Sequence, residues 1–199
     1  MLFGLIRDRP QVIASGERVD MRYPQRADYR EWAKLRASSA DFLGQWEPTW
    51  AKDELSKAAY KARVRRADIE LENGTGQVFF IFDRVTNKLV GGISLGNIRY
   101  GMARSGQIGY WMGEAYAGKG LMQDAVKALI SFGFDRLNLH RLEAACIPSN
   151  ERSVAVLQKT GFTQEGLLKS YLKINGKWQD HLLFAIISGL NERRQEGGL

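Results

Sequence analysis

The 199-residue sequence predicts a mixed α/β fold of the α+β kind, a six- to seven-stranded and mostly antiparallel sheet flanked by about four helices. Three observations carry this expectation. Three strand signals follow one another between Gln77 and Met112, which suggests an antiparallel meander. After them the pattern changes to alternating glycine loop, helix and strand. Near the end, Asn175-Gly176 joins two strand-like runs with the strongest short hairpin signal.

Taken in order, Arg18 to Tyr23 reads as a short strand, Pro24 and Asp28 mark a turn, and Asp28 to Ser39 reads as an amphipathic helix with Trp32 and Leu35 inward. Asp41 to Trp50 is an aromatic loop that breaks helical periodicity at Pro48. A charged helix resumes from Asp53 to Leu71 and stops at Asn73-Gly74. Gln77 to Asp83 and Lys88 to Arg99 are strands joined across Thr86-Asn87, and Gln107 to Met112 is the next. Beyond a glycine loop at Gly113 to Gly120, Leu121 to Leu137 has apolar pairs at helical spacing, and Arg141 to Ile147 is a strand. Asn150 can cap a short helix that runs to Thr160 and stops at Gly161, and Phe162 starts the final strand pair.

The length, with 44% hydrophobic and 26% charged residues, suits one domain spanning 1–199 with a core at about 18–188. The longest apolar runs, Val78 to Phe82 and Leu182 to Ile187, are far shorter than the roughly 18 residues a membrane span needs, and no leader pattern opens the chain. A cytoplasmic protein without membrane contact is the expectation. The single cysteine, Cys146, cannot form an internal disulfide and reads as a small core residue. With only His140 and His181 besides, no metal site is expected. The formal charge of +7 points toward anionic partners such as RNA, the ribosome or a phosphorylated cofactor, although a merely soluble basic surface explains it as well. The basic residues are spread along the chain, from Arg7 and Arg9 to Arg65 and Arg66, and spell no nucleic-acid module.

The segment Gly113-Glu114-Ala115-Tyr116-Ala117-Gly118-Lys119-Gly120 follows a strand and opens a helix, the setting in which backbone N–H groups and the helix dipole hold a phosphate. It nearly spells the G-x-x-x-x-G-K-[ST] loop of nucleotide triphosphatases. Gly120, however, stands where the magnesium-binding hydroxyl belongs. A tight turn with no ligand would use the same glycines.

Gly109-Tyr110-Trp111-Met112-Gly113-Glu114, continued by Ala117-Gly118-Lys119-Gly120-Leu121-Met122, resembles the acetyl-CoA pyrophosphate loop of the GNAT superfamily, whose pattern is [QR]-x-x-G-x-[GA]. One helix and one strand later, Ile147-Pro148-Ser149-Asn150-Glu151-Arg152-Ser153, then Gly161-Phe162 and Glu165-Gly166, resemble that superfamily's second block. Two more stretches, Phe42 to Pro48 and Gly166 to His181, are similar to the RimJ/RimL-type ribosomal-protein N-acetyltransferases, the RimJ-like members most of all. The resemblance covers about Arg18 to Ile187. It implies a GNAT fold and an acetyl-CoA-dependent N-acetyltransferase with acetyl-CoA as co-substrate and no metal. The implied acceptor is the N-terminal amino group, alanine in RimJ, of a ribosomal protein.

The resemblance also implies roles for individual residues. Backbone of Tyr110, Trp111 and Met112 would pair with the pantetheine arm. The loop from Ala115 and Tyr116 through Ala117, Gly118, Lys119, Gly120 and Leu121 to Met122 would hold the pyrophosphate with main-chain N–H groups. Asn150 would bond the cofactor arm, Arg152 a CoA phosphate, and Ser153 would offer its hydroxyl to the leaving sulfur. Plainer readings stand beside these: a helix cap for Asn150 and a surface serine for Ser153. The sequence departs from the pattern twice, with Ala115 in place of the opening Gln/Arg and Leu157 where many GNAT enzymes carry the tyrosine that acts as acid. For the general base, Glu114, Glu143 and the Asp180/His181 pair are candidates, each with a structural alternative.

Two other functions stand beside this one. One is acetylation of a small amine such as a polyamine, amino acid or antibiotic; the basic charge argues against a polycationic one. The other is a catalytically silent CoA-binding or ribosome-associated module. Whether the chain is a monomer or a dimer is open at this point, as is any RNA contact.

Overall fold

The computed structural model describes residues 11–189, so the ends of the expected 1–199 domain, with Arg7 and Arg9, lie outside the described residues. The chain runs β1 (Ala14–Ser15), β2 (Val19–Arg22), α1 (Tyr29–Ala37), α2 (Ala40–Gly44), α3 (Lys57–Glu72), β3 (Gln77–Asp83), β4 (Leu89–Arg99) and β5 (Ser105–Met112). It continues through α4 (Leu121–Ser131), β6 (Arg141–Cys146), α5 (Glu151–Lys159), β7 (Thr163–Ile174) and β8 (Lys177–Ile187). The eight strands form one sheet in the order β1-β2-β3-β4-β5-β6-β8-β7. All neighbours are antiparallel except β5 and β6, which run parallel.

This is the GNAT fold the sequence predicts, with one strand and one helix more. The two-residue β1 is too short to show alternation, and it pairs with β2 through Ala14 opposite Met21. The five-residue α2 lies within what reads as the start of the aromatic loop; a helix of barely more than one turn has no period to detect. The helix expected to reach Leu137 keeps α-helical geometry only to Ser131 and passes through a π-helical stretch, Phe132–Arg136.

Alternate residues of β3 feed two separate cores, which explains the near-continuous apolar run of that strand. Phe79 and Ile81 join a cluster with Val126, Leu129 and Leu157 of α4 and α5. Phe80 and Phe82 join Trp32 and Leu35 of α1 and Tyr60 and Val64 of α3. Helices therefore cover both faces of the sheet. Chain punctuation behaves as its chemistry dictates. The Ser56 hydroxyl accepts from the Ala59 N–H at 3.1 Å to start α3, and Gly74 ends it at φ +69°. The Asn175-Gly176 turn has φ of 44° and 77°, the left-handed pair that a two-residue hairpin needs. No helix among the described residues is long and apolar enough to cross a membrane.

Candidate active site

The parallel pairing of β5 with β6 stops early. Ser105 to Ile108 lie opposite Arg141 to Ala144, after which the two strands splay. β5 stays bonded to β4 as far as Met112, and β6 stays bonded to β8 as far as Cys146. The edge of β5 at Gly109 to Met112 thus faces a gap with main-chain N–H and C=O groups that no strand uses. A cleft of about 420 Å³ opens there, walled by the splayed ends, the first turn of α4 and the first turn of α5.

The glycine loop closes one end of the cleft. A 3₁₀ turn, Glu114–Tyr116, leads to Gly118 at φ +75° and Gly120 at φ +79°, left-handed values that a side chain would strain. Gly120 is the residue before α4, so the free N–H groups of that helix's first turn, and the positive end of its dipole, face the loop. Two contacts between segments far apart in sequence hold this geometry. Arg18 donates to the Lys119 carbonyl at 2.7 Å, and the Asp124 carboxylate in the first turn of α4 accepts from the N–H groups of Glu17, Arg18 and Val19 at 3.1, 2.8 and 3.1 Å. Sequence reading missed both, because no local pattern links positions more than a hundred residues apart.

Of the residues assigned to the cofactor from sequence, Tyr110, Trp111, Met112, Tyr116, Ala117, Gly118, Gly120, Leu121, Met122, Asn150, Arg152 and Ser153 line this one cleft. Ala115 and Lys119 lie on the same loop without lining it; the Lys119 ammonium sits 5.8 Å from the Tyr116 ring centre. Asn150 caps α5, its Oδ1 accepting from the Ser153 N–H at 3.1 Å, so the cap leaves its amide NH₂ as a donor. The Arg152 guanidinium stacks over Phe42 at 5.2 Å.

Ser153 has a partner that spacing did not suggest. Its Oγ lies 2.7 Å from the hydroxyl of Tyr110, a half-buried residue of the splayed strand. Burial pushes the Tyr110 phenol well above its ordinary value, so the hydroxyl keeps its proton. Cys146 is buried and lines the same cleft, and burial pushes its thiol up. Leu157 is fully buried in the core.

The candidate bases are scattered. Glu114 is exposed and borders neither this cleft nor its neighbour, while its backbone N–H donates to the Ser39 hydroxyl at 3.0 Å. Glu143 is bound at 2.7 Å to Arg141 of its own strand, and Arg141 also pairs with Glu165 of β7, so this carboxylate is engaged in an ion-pair network. Asp180 accepts from Lys169 at 2.8 Å and from the Ser170 N–H at 2.9 Å inside the β7–β8 hairpin. His181 alone of these lines the cleft, buried, with Nδ1 3.0 Å from the Gln179 carbonyl.

A second cavity, of about 480 Å³, lies between the sheet and helices α1 and α3. The two cavities share Gly109, Tyr110, Trp111 and Glu47. Phe42 and Trp46 of the aromatic loop line the first and Trp50 the second, all half-buried rather than core. At the junction Glu47 accepts both guanidinium nitrogens of buried Arg36, at 2.9 and 2.6 Å, and the Trp50 indole N–H at 2.7 Å. Arg36 in turn lies over the rings of Trp50 and Trp111, at 4.5 and 4.9 Å.

Comparison with known proteins agrees with this geometry. The family model described as "Acetyltransferase (GNAT) domain" matches residues 18–163. The Bacillus subtilis protein "Probable N-acetyltransferase YjcK" is 33% identical over 89% of this chain and 98% of its own length. The Escherichia coli [ribosomal protein uS5]-alanine N-acetyltransferase is 30% identical over 93% of this chain and 95% of its own. The solved structure of Mycobacterium smegmatis RimJ in complex with CoA-disulfide superimposes with a TM-score of 0.82 at 32% identity, covering 90% of this chain and 86% of that one. The matched span contains both splayed strands, the glycine loop and the first turn of α5, and on that ground the chain belongs to the GNAT acetyltransferase family.

Proposed function

We propose that the chain transfers the acetyl group of acetyl-CoA to the N-terminal amino group of a protein, an alanine-starting ribosomal protein in the cytoplasm. The observation that carries this reading is the junction of two cavities across a splayed strand, one built for an extended anionic cofactor and the other open to an acceptor. The names of the uS5-alanine enzyme and of RimJ support the choice of acceptor. So does the formal charge of +7, which suits a partner that assembles with RNA.

The residues present fit acetyl-CoA. The bare edge of β5 at Gly109 to Met112 can pair with an amide-bearing arm, as an added strand does, and the left-handed glycines leave the N-terminus of α4 clear for a diphosphate. The cofactor supplies an activated thioester. The protein holds the acceptor amine beside that carbonyl at Gly109 to Trp111, where the two cavities meet. A nitrogen–carbon bond forms and the carbon–sulfur bond breaks. The amine's proton passes through water to His181, whose Nδ1–H donates to the Gln179 carbonyl and leaves Nε2 to accept. The Ser153 hydroxyl protonates the departing sulfur.

Calorimetry with acetyl-CoA in the presence of EDTA tests the cofactor half of this reading. Metal-independent binding is expected, with a rise in the thermal midpoint. Magnesium-dependent binding of ATP, with none of CoA, would instead make the glycine loop a nucleotide triphosphate site.

A further inference from the structure

We infer that Tyr110 is a positioning residue for the acid of this reaction: its hydroxyl donates to Ser153 Oγ and so leaves the single Ser153 proton free to point at the leaving sulfur. The inference rests on the reading of Ser153 as that acid. Its observations are independent of that reading. The helix position from which many members of this family supply a phenol holds Leu157, fully buried in the core, so α5 has no phenol to offer there. A phenol arrives from another element instead. β5 presents Tyr110 toward the α4–α5 side and Trp111 toward the α1–α3 side, as strand alternation requires, and Tyr110 reaches across the cleft to the first turn of α5. Its oxygen stands 2.7 Å from Ser153 Oγ.

The direction of that hydrogen bond decides what Ser153 can do. A serine hydroxyl has one proton and two acceptor sites. With Ser153 as donor, its proton would be spent on Tyr110 and none would face the thiolate. With Tyr110 as donor, the serine proton is free, and the incoming hydrogen bond polarises the O–H and makes it a better donor. The half-buried phenol stays protonated, because burial disfavours the phenolate, so it remains able to donate. The rest of the serine's geometry is set from below, where Asn150 Oδ1 accepts from the Ser153 N–H. Tyr110 exchanges no proton in the net reaction. The amine's proton goes to the base, the Ser153 proton goes to sulfur, and Ser153 is reprotonated from solvent once the thiol departs.

The test is a double-mutant cycle, Tyr110→Phe and Ser153→Ala with their combination, run with acetyl-CoA and with an acetyl thioester of a more acidic thiol. Tyr110→Phe is expected to lower kcat about tenfold, the value of one oriented hydrogen bond, while KM for acetyl-CoA stays within about twofold. Ser153→Ala is expected to lose about a hundredfold or less, and the double variant no more than Ser153→Ala alone. The more acidic donor should restore most of the rate in every variant. A kcat loss in Tyr110→Phe that is equal with both donors, or that adds fully to the loss in Ser153→Ala, would make Tyr110 a packing residue and overturn the inference. If Ser153→Ala itself shows no dependence on the leaving thiol, the reading of Ser153 fails and this one with it. If Ser153→Ala shows that dependence and Tyr110→Phe keeps its kcat, only the Tyr110 assignment falls. Unchanged thermal midpoints in the single variants establish that each is folded.

Discussion

Gly118 and Gly120 illustrate how a backbone conformation becomes a binding property. At φ of +75° and +79° any side chain is strained, although nothing lies within 4 Å of a Cβ built at Gly118 and only Arg18 stands within that distance at Gly120. Gly118→Val or Gly120→Val is therefore expected to raise KM for acetyl-CoA at least tenfold, read by steady-state kinetics, through distortion of the loop at the α4 N-terminus. Asn150 combines two duties that substitution can separate. Asn150→Asp keeps the oxygen that caps α5 and loses the amide donor, whereas Asn150→Ala loses both. Both variants should weaken acetyl-CoA binding, by about 1–3 kcal/mol for a buried hydrogen bond, but only Asn150→Ala should lower the thermal midpoint through loss of the cap. The cap was legible from an Asn before a helical run. The role of the Tyr110 hydroxyl was not, since sequence assigned that residue main-chain duty alone and its partner Ser153 lies 43 positions away.

At the scale of elements, the long periodic segments were legible because both cores demand regular apolar spacing, and the misses were too short to have any. β1 and α2 are two and five residues long. The contacts that fix the glycine loop also escaped, because they come from the β1–β2 turn. Asp124→Ala strips three backbone N–H groups of their acceptor and should cost stability by about 1–3 kcal/mol in denaturant unfolding, with KM for acetyl-CoA rising as the loop loosens. The hairpin edge of the sheet has its own pH signature. The Arg141 hydrogen bond holds Glu165 below the ordinary carboxylate value, and Lys169 with the Ser170 N–H does the same for Asp180. A depressed folded value means that this stabilisation is present above the unfolded value, about 4, and is lost as pH falls through the folded one. The thermal midpoint should fall on acidification below about pH 4, and Glu165→Gln should flatten part of that decline.

At the scale of the whole molecule, the sheet order and the parallel β5–β6 step create the cleft, and the helices on the two faces divide the space beside it into two cavities. The mixed sheet and the glycine loop were legible in local patterns. The junction was not, because it brings together Arg36, Glu47, Tyr110 and Trp111 from α1, the aromatic loop and β5. A junction of that kind makes a definite demand: the acceptor must present a free amine at the strand where the thioester lies. Thiol release from acetyl-CoA, followed in EDTA with an alanine-starting peptide taken from a ribosomal protein N-terminus, tests that demand most directly. The peptide should drive release and emerge acetylated on its α-amine, and the same peptide blocked at that amine should drive none. Equal release with the blocked peptide, or release with polyamines and not with the peptide, would contradict the account.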